Sequence, residues 1–312
     1  MRRTPLFIAL AILIIGVSAR ALPPETAKKP TSTKGAGGST KADVPVGFIP
    51  YKDYTLFVPH KYKGEKETKS FPLILFLHGE GQAKKPHGPP EDVPGLGSHI
   101  RDHEKIFPFF VIFPRSAHDG HWYKDDKPLD ASRALEILQA VQKEYQCIDT
   151  KKLYLTGVGS GGRATWELAA EHPELWAAIA PLCGGPPSAS NLKPGTKESI
   201  AAAETFAKYV APKIKEMPVW CFHEKCDGTA GVEWTEKMAA ELKAKPLPPG
   251  ESPPTTAKAG HALFTIFDDC GSSLAPTAHE QCWKNAYSDP KANSKSDERD
   301  SFYEWLLKHH RK

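Results

Sequence analysis

No stretch of this sequence holds the roughly 20 consecutive apolar residues that carry a helix across a bilayer, so a mature chain without an integral membrane span is expected. No two of its six cysteines stand as CxxC, which disfavours a zinc ribbon or a thioredoxin-like site. No block of lysine and arginine is interleaved with aromatics. The 41 basic and 37 acidic side chains are mixed along the chain for a formal charge of +4, which argues against nucleic acid as a partner. From Leu22 to Val46 there is almost nothing to bury, so ordering that stretch would cost chain entropy without compensation. It reads as a flexible linker. No internal repeat is visible, and nothing points to a metal, nucleotide or flavin cofactor.

What is present suffices for a large core: 312 residues, 40% of them hydrophobic and 25% charged, fit one sizeable α/β domain or two small ones. Arg2 and Arg3 precede the apolar run Pro5 to Val17, and Ala19, Arg20 and Ala21 make an AxA pattern. That layout is a secretory signal peptide over 1–21, with an uncleaved anchor as the lesser alternative. The expected product is secreted or periplasmic, with one folded domain over 47–312 after the linker at 22–46. In such a compartment an even cysteine count permits three disulfides, while isolated buried thiols remain equally open.

Short apolar runs recur along the folded part: "YTLFVP" from Tyr54, "PLILFLHG" from Pro72, "FFVIFP" from Phe109, "KLYLTG" from Lys152, "AAIAPL" from Ala177, "PVWCFH" from Pro218 and "ALFTIF" from Ala262. The central ones are apolar at every position, as strands covered on both faces must be. Between them, Asp130 can cap a helix whose Ala134, Leu138, Val141 and Tyr145 form one stripe. Thr229 or Gly231 opens another running to about Leu242, and "SFYEWLLKHH" closes the chain as an amphipathic helix. The alternation predicts a doubly wound, mostly parallel α/β sheet. Two Pro, Ser and Gly-rich stretches, Gly184 to Ser199 and Lys245 to Gly260, read as surface loops. The first follows a strand end, where it would either roof a cleft or stand as a solvated insertion.

The stretch "LYLTGVGSGGRATWELAAEHPE" from Leu153 is a strand, a glycine-rich turn and a helix. Gly157, Gly159 and Gly162 satisfy GxGxxG, the dinucleotide fingerprint, but the next strand ends in Pro181, Leu182 and Cys183 where that reading needs an acid. A dinucleotide-binding protein is therefore the remote alternative. The same stretch, together with "PLILFLHGEGQ", "MPVWCFHEKCDG" and "HEQCWKNAYSDP" in that order, resembles the α/β-hydrolases, in the esterase branch of polyhydroxybutyrate depolymerase-like, feruloyl-esterase-like and predicted peptidase-like proteins. The resemblance covers most of the chain from about Tyr51.

That resemblance implies a serine mechanism on carboxylic esters, small or polymeric, through an acyl-enzyme and without a cofactor. A histidine must take the serine proton while an acid fixes the imidazole tautomer, in the chain order nucleophile, acid, histidine. Asp227 and His279 fill the last two roles, and His261, starting a strand, is read as structural. Gly79 and Glu80, flanked by His78 and Gly81, stand at the oxyanion loop, with Glu80 expected to point away from the cleft. Glycine stands at the nucleophile position itself: both flanking anchors, Tyr154 and Trp166, put the apex of the elbow at Gly159, with the serine one place on, at Ser160. Either Ser160 acts as a shifted nucleophile, or the chain is a weak or inactive hydrolase, at the limit a protein that binds an ester or carbohydrate without turning it over. A Cys226–Cys282 disulfide would brace the loops of Asp227 and His279. The pair His118 and His121 has metal-ligand spacing but no third ligand nearby and is read as a turn or cleft rim, with Trp122 and Tyr123 packed under the loop.

Overall fold

The computed structural model describes residues 44–312 except 65–66, 81, 83–94, 119, 125–126, 188–190, 250, 252–261, 269–277 and 289–301, with backbone alone at Lys124, Lys127 and 278–280. Among the described residues the elements run β1 (Gly47–Pro50), β2 (Tyr54–Val58), β3 (Phe71–Leu77), α1 (Leu96–Asp102), β4 (Phe110–Pro114), β5 (Tyr123–Lys124), β6 (Lys127–Pro128), α2 (Ala131–Glu144), β7 (Ile148–Val158), α3 (Ser160–Glu171), β8 (Ala178–Leu182), α4 (Lys197–Ile214), β9 (Val219–Glu224), α5 (Glu233–Glu241), β10 (Lys245–Pro246), β11 (Ala262–Phe267), α6 (Ala278–Tyr287) and α7 (Phe302–Lys308). Nine strands form one sheet in the order β1-β2-β4-β3-β7-β8-β9-β11-β10, and β5 pairs with β6 in a separate hairpin.

β1 and β2 join antiparallel at one edge, and every pairing from β4 onward across the sheet is parallel. Because successive strand residues point to opposite faces, each central strand feeds two cores. On one face Leu73, Leu75, Leu153, Leu155 and Ile179 pack with Ala134 and Leu138 of α2, Leu168 of α3, Val210 of α4 and Met238 of α5. On the other, Ile74, Phe76, Tyr154, Ala178 and Phe222 pack with Ile100 of α1, Trp283 and Tyr287 of α6 and Trp305 of α7. Fully burying one such side chain stabilises the fold by about 1.5 to 3 kcal/mol. The predicted doubly wound, mostly parallel sheet is the observed one.

The differences are local. Residues 197–199, read as loop, are the first turn of α4, whose start is fixed by Thr196: its Oγ1 accepts the Ser199 N–H at 3.3 Å. Lys245 and Pro246, also read as loop, pair parallel with Leu263 and Phe264 as the edge strand β10. Asp130 stands at the N-cap of α2 but makes no side-chain cap bond there, because its carboxylate is engaged elsewhere. The stripe Ala134, Leu138, Val141 and Tyr145 is buried as expected. His261 lies outside the described residues.

Candidate active site

β7 ends at Val158 and α3 begins at Ser160, so a single residue, Gly159, makes the turn. Its φ of 56° and ψ of −119° belong to a region that L side chains enter at a cost of about 1 to 3 kcal/mol, whereas glycine, lacking Cβ, enters freely. The Gly159 N–H donates to the Leu182 carbonyl at 3.0 Å, and its own carbonyl accepts the Arg163 N–H at 2.9 Å to begin α3. The other glycines serve close approach. A Cβ at Gly161 would stand 2.0 Å from the Leu77 oxygen, and one at Gly162 would stand 2.2 Å from the Leu182 oxygen. The start of α3 is thereby wedged between the ends of β3 and β8. A Cβ at Gly159 itself would meet nothing closer than Gly79 Cα at 3.9 Å and Trp283 Cζ2 at 4.0 Å. Ser160 is already the first helical residue, and its Oγ is buried without a hydrogen-bond partner among the described residues.

The loop after β3 is held by a polar network. The Ser116 N–H donates to His78 Nε2 at 3.1 Å, so Nε2 is the bare nitrogen and Nδ1 carries the proton, donated to the Gly79 carbonyl at 2.9 Å. Trp122, buried, donates its Nε1–H to the His78 carbonyl at 2.8 Å, which is the packing role expected of it. Beneath, the Ser116 hydroxyl donates to Asp130 Oδ2 at 2.6 Å and accepts the Gly120 N–H at 2.9 Å. The Gly79 amide, expected to face an oxyanion, donates instead to Gln82 Oε1 at 3.0 Å. Glu80 is exposed, with Oε1 3.5 Å from His121 Nδ1, while His118 Nδ1 lies 3.0 Å from Asp130 Oδ1. The two histidines of the "HDGH" turn thus face different carboxylates. Asp119 and Gly81 lie outside the described residues.

Asp227 follows β9 and is buried. Its Oδ1 accepts the N–H groups of Thr229 and Ala230 at 2.8 and 2.9 Å, while Oδ2 has no hydrogen-bond partner among the described residues. Residue 279 is the second of α6, a helix that packs against β9; the strand leading to the acid and the helix bearing the expected base are therefore neighbours. Sequence reasoning passed over the third party here, His223. Its Nε2 lies 2.7 Å from the Ala230 carbonyl, its Nδ1 2.7 Å from Thr235 Oγ1, and Asp227 Oδ2 is 3.7 Å from Nε2. A carbonyl only accepts, so Nε2 carries a proton. Cys183, His223 and Asp227 bring potential ligand atoms within 4.8 Å of one another, yet with one nitrogen donating and the other paired to a hydroxyl, His223 has no free lone pair for an ion in this arrangement.

The expected Cys226–Cys282 disulfide is overturned. Cys226 is disulfide-bonded, whereas Cys282 is a free thiol, as are Cys147, Cys183 and Cys221. The remaining cysteine, Cys270, lies outside the described residues. The reason is helical geometry: the Cys282 side chain is turned into the core formed by α6 and the sheet, where it is wholly buried.

Sequence reasoning also missed a cavity of about 600 Å³ beside α3, lined by Tyr123, Arg163, Phe206 and Trp234 and, from the first loop, by Pro187 and Leu192. In its wall Arg163 pairs with Glu167 at 2.9 Å, one helical turn on, and lies 4.3 Å from the centre of the Phe206 ring. The i, i+4 spacing of Arg163 and Glu167 was the available signal.

Sheet order, elbow and helices on both faces define an α/β-hydrolase fold. No family model matches the chain. It is 27% identical over 174 residues to poly(3-hydroxyalkanoate) depolymerase C of Paucimonas lemoignei, covering 48% of this chain and 39% of that one. It is 28% identical over 127 residues to the bifunctional acetylxylan esterase/xylanase XynS20E of Neocallimastix patriciarum, covering 41% and 18%. The chain spans less than half the length of these curated relatives. Among solved structures, a thermostable esterase superposes with a TM-score of 0.53 at 21% identity, covering 85% of this chain and 63% of that one. Among the described residues no helix is long and apolar enough to cross a membrane.

Proposed function

We propose that this chain is an exported domain of the carboxylic-ester hydrolase type with a degenerate nucleophile elbow. Its signal peptide is 1–21, its linker 22–46 and its catalytic fold 47–312, and its ligand is a small-molecule or polymer ester. The observation that carries the reading is Gly159. It alone forms the turn between β7 and α3, in the strained conformation, with room above it for the side chain it lacks.

In a serine mechanism the histidine takes the hydroxyl proton as the oxygen attacks the ester carbonyl, and backbone amides receive the charge that develops on the carbonyl oxygen. The acid keeps the imidazole in the right tautomer and steadies its cation. Asp227 is suited to the acid's part because one carboxylate oxygen is anchored by two backbone amides and the other accepts no hydrogen bond from the described residues. His279 is the base. Without a hydroxyl at the apex the attack step has no nucleophile, a deficit worth on the order of a millionfold in turnover. The chain then holds ester and cleaves it slowly or not at all. The partial identity to a polyhydroxyalkanoate depolymerase and an acetylxylan esterase supports an ester as the ligand.

A second reading, Ser160 as a shifted nucleophile, is favoured by one observation: its hydroxyl has no hydrogen-bond partner among the described residues and stands one residue from the apex. The two separate on a fluorophosphonate probe and short p-nitrophenyl esters. The first reading expects no labelling of the wild type and labelling of Gly159→Ser, since a Cβ there meets only ordinary van der Waals contacts. Labelling of the wild type that vanishes in Ser160→Ala would establish the second. N-terminal sequencing of protein recovered outside the cell tests export, with a start after Ala21 expected.

A further inference from the structure

The end of the sheet opposite the elbow holds a second cavity, of about 630 Å³. Ala177 and Pro218, the residues just before β8 and β9, lie in its wall. The length of β8, about 15 Å at the usual rise per strand residue, therefore separates it from the turn at Gly159. Its lining carries Lys213 and Lys215 from the end of α4 and Lys308, Arg311 and Lys312 from the end of α7, against a single carboxylate, Glu216. Arg311 is pinned there, its Nη1 donating to the Glu174 carbonyl. Cations gathered in this way repel one another and attract an anion.

Two buried ring nitrogens in the same lining lack a partner. Trp176 and His309 are 3% and 9% exposed. Neither Trp176 Nε1 nor His309 Nε2 has a hydrogen-bond partner among the described residues, which is rare for buried polar atoms and costly. An indole N–H only donates, so what it lacks is an acceptor. Burial, then the positive charges of His310 and Lys308, pull the His309 imidazole down to about 4. Its ring is therefore neutral at pH 7, and with the proton on Nε2 it is a second donor. Donors in want of an acceptor, among cations, suit an acidic head group. Pro173, Ile214 and Met217 add carbon surface, and the volume falls within the roughly 300 to 1,000 Å³ of small-molecule sites, far more than a lone ion fills.

We infer that this cavity binds a small organic anion, whose carboxylate, sulfate or phosphate head accepts from Trp176 Nε1 and His309 Nε2 among the lysines while its apolar body lies on Pro173, Ile214 and Met217. The site is remote from Asp227 and the turn, so the inference stands apart from the ester reading. Occupancy also bears on the fold. Trp176 lies between α3 and β8, and His309, whose carbonyl accepts the Tyr154 hydroxyl, follows α7. A ligand held by both ties the end of the chain to the sheet and stabilises the folded state by mass action. An anion beside Nε2 favours the imidazolium, so binding should move the His309 titration upward.

The nitrogen-15-labelled chain is titrated at low ionic strength with octanoate, acetate and inorganic phosphate, following the indole N–H resonance that Trp176→Phe removes. Octanoate is expected to shift that resonance saturably and to bind about tenfold more tightly than acetate, because its methylenes are buried as well. Lys215→Glu combined with Lys312→Glu, both exposed and so compatible with folding, should weaken octanoate roughly tenfold. The His309 imidazole should titrate higher with octanoate bound than without it. Octanoate that binds while leaving the Trp176 and His309 resonances unmoved has bound elsewhere and overturns the inference. Affinity unchanged by the double charge reversal overturns it too. Phosphate binding as tightly as octanoate would overturn the assignment to an organic anion. Because Trp176→Phe also changes packing, it serves only to assign the resonance, and the decision rests on the surface pair and the His309 titration.

Discussion

Asp130 shows how one side chain can organise a site it does not enter. Its carboxylate accepts the Ser116 hydroxyl and the His118 N–H, and through Ser116 it steadies the backbone that fixes His78 and the loop bearing Gly79 and Glu80. Asp130→Ala would leave the buried Ser116 hydroxyl and the His118 imidazole without their carboxylate partner, so a loss of about 1 to 3 kcal/mol in urea unfolding is expected. A change under roughly 1 kcal/mol would mean that the loop is held without it. The residue was legible as a helix start from its place before an apolar stripe, but not as the hub of this network. Capping is decided by neighbours in sequence, whereas Ser116 comes into range only after β4 and α2 have packed.

α7 is an element whose fit to the sheet is sensitive to acid. It ends at Lys308, and the next carbonyl, that of His309, accepts the Tyr154 hydroxyl at 2.9 Å. Burial first, then the positive charges of His310 and Lys308, pull the His309 imidazole down from 6.5 to about 4. The folded chain therefore resists protonation that the unfolded chain accepts. The unfolded state binds more protons between those values, and stability rises with pH across that window. The contribution is present above about 6.5 and is lost as the pH falls toward about 4. Melting temperature measured from pH 7 to 4 should fall more steeply for the wild type than for His309→Asn, and parallel slopes would refute the assignment. Helix α4, on the other face of the sheet, had its first turn misread as loop. Its Thr196 cap follows a Pro and Gly-rich stretch that favours a loop, and its stripe of Ala203, Ala207 and Val210 is buried only because α3 and α5 lie beside it.

The whole molecule is a sheet with a core on each face, and the central strands serve both. Leu155 is fully buried on the face covered by α2 to α5, so Leu155→Ala should cost about 2 to 5 kcal/mol. Leu307, 37% exposed, should tolerate alanine within about 0.5 kcal/mol. Denaturant midpoints at unchanged slope would show the contrast, and equal costs would mean that the two-sided core does not carry the fold.

Seven apolar runs located the strands that carry the sheet, and the run of glycines located the elbow, because both depend on spacing along the chain. Alternation dictates which residues face which core, and a turn of one residue at positive φ is entered by glycine without the cost a Cβ brings. The order of strands, the burial of Cys282 in the core rather than its bridging to Cys226, the tautomer of His78 and the placing of His223 beside Asp227 were decided only in three dimensions. Each depends on groups far apart in sequence meeting at a few ångströms, a distance set by how helices and strands pack.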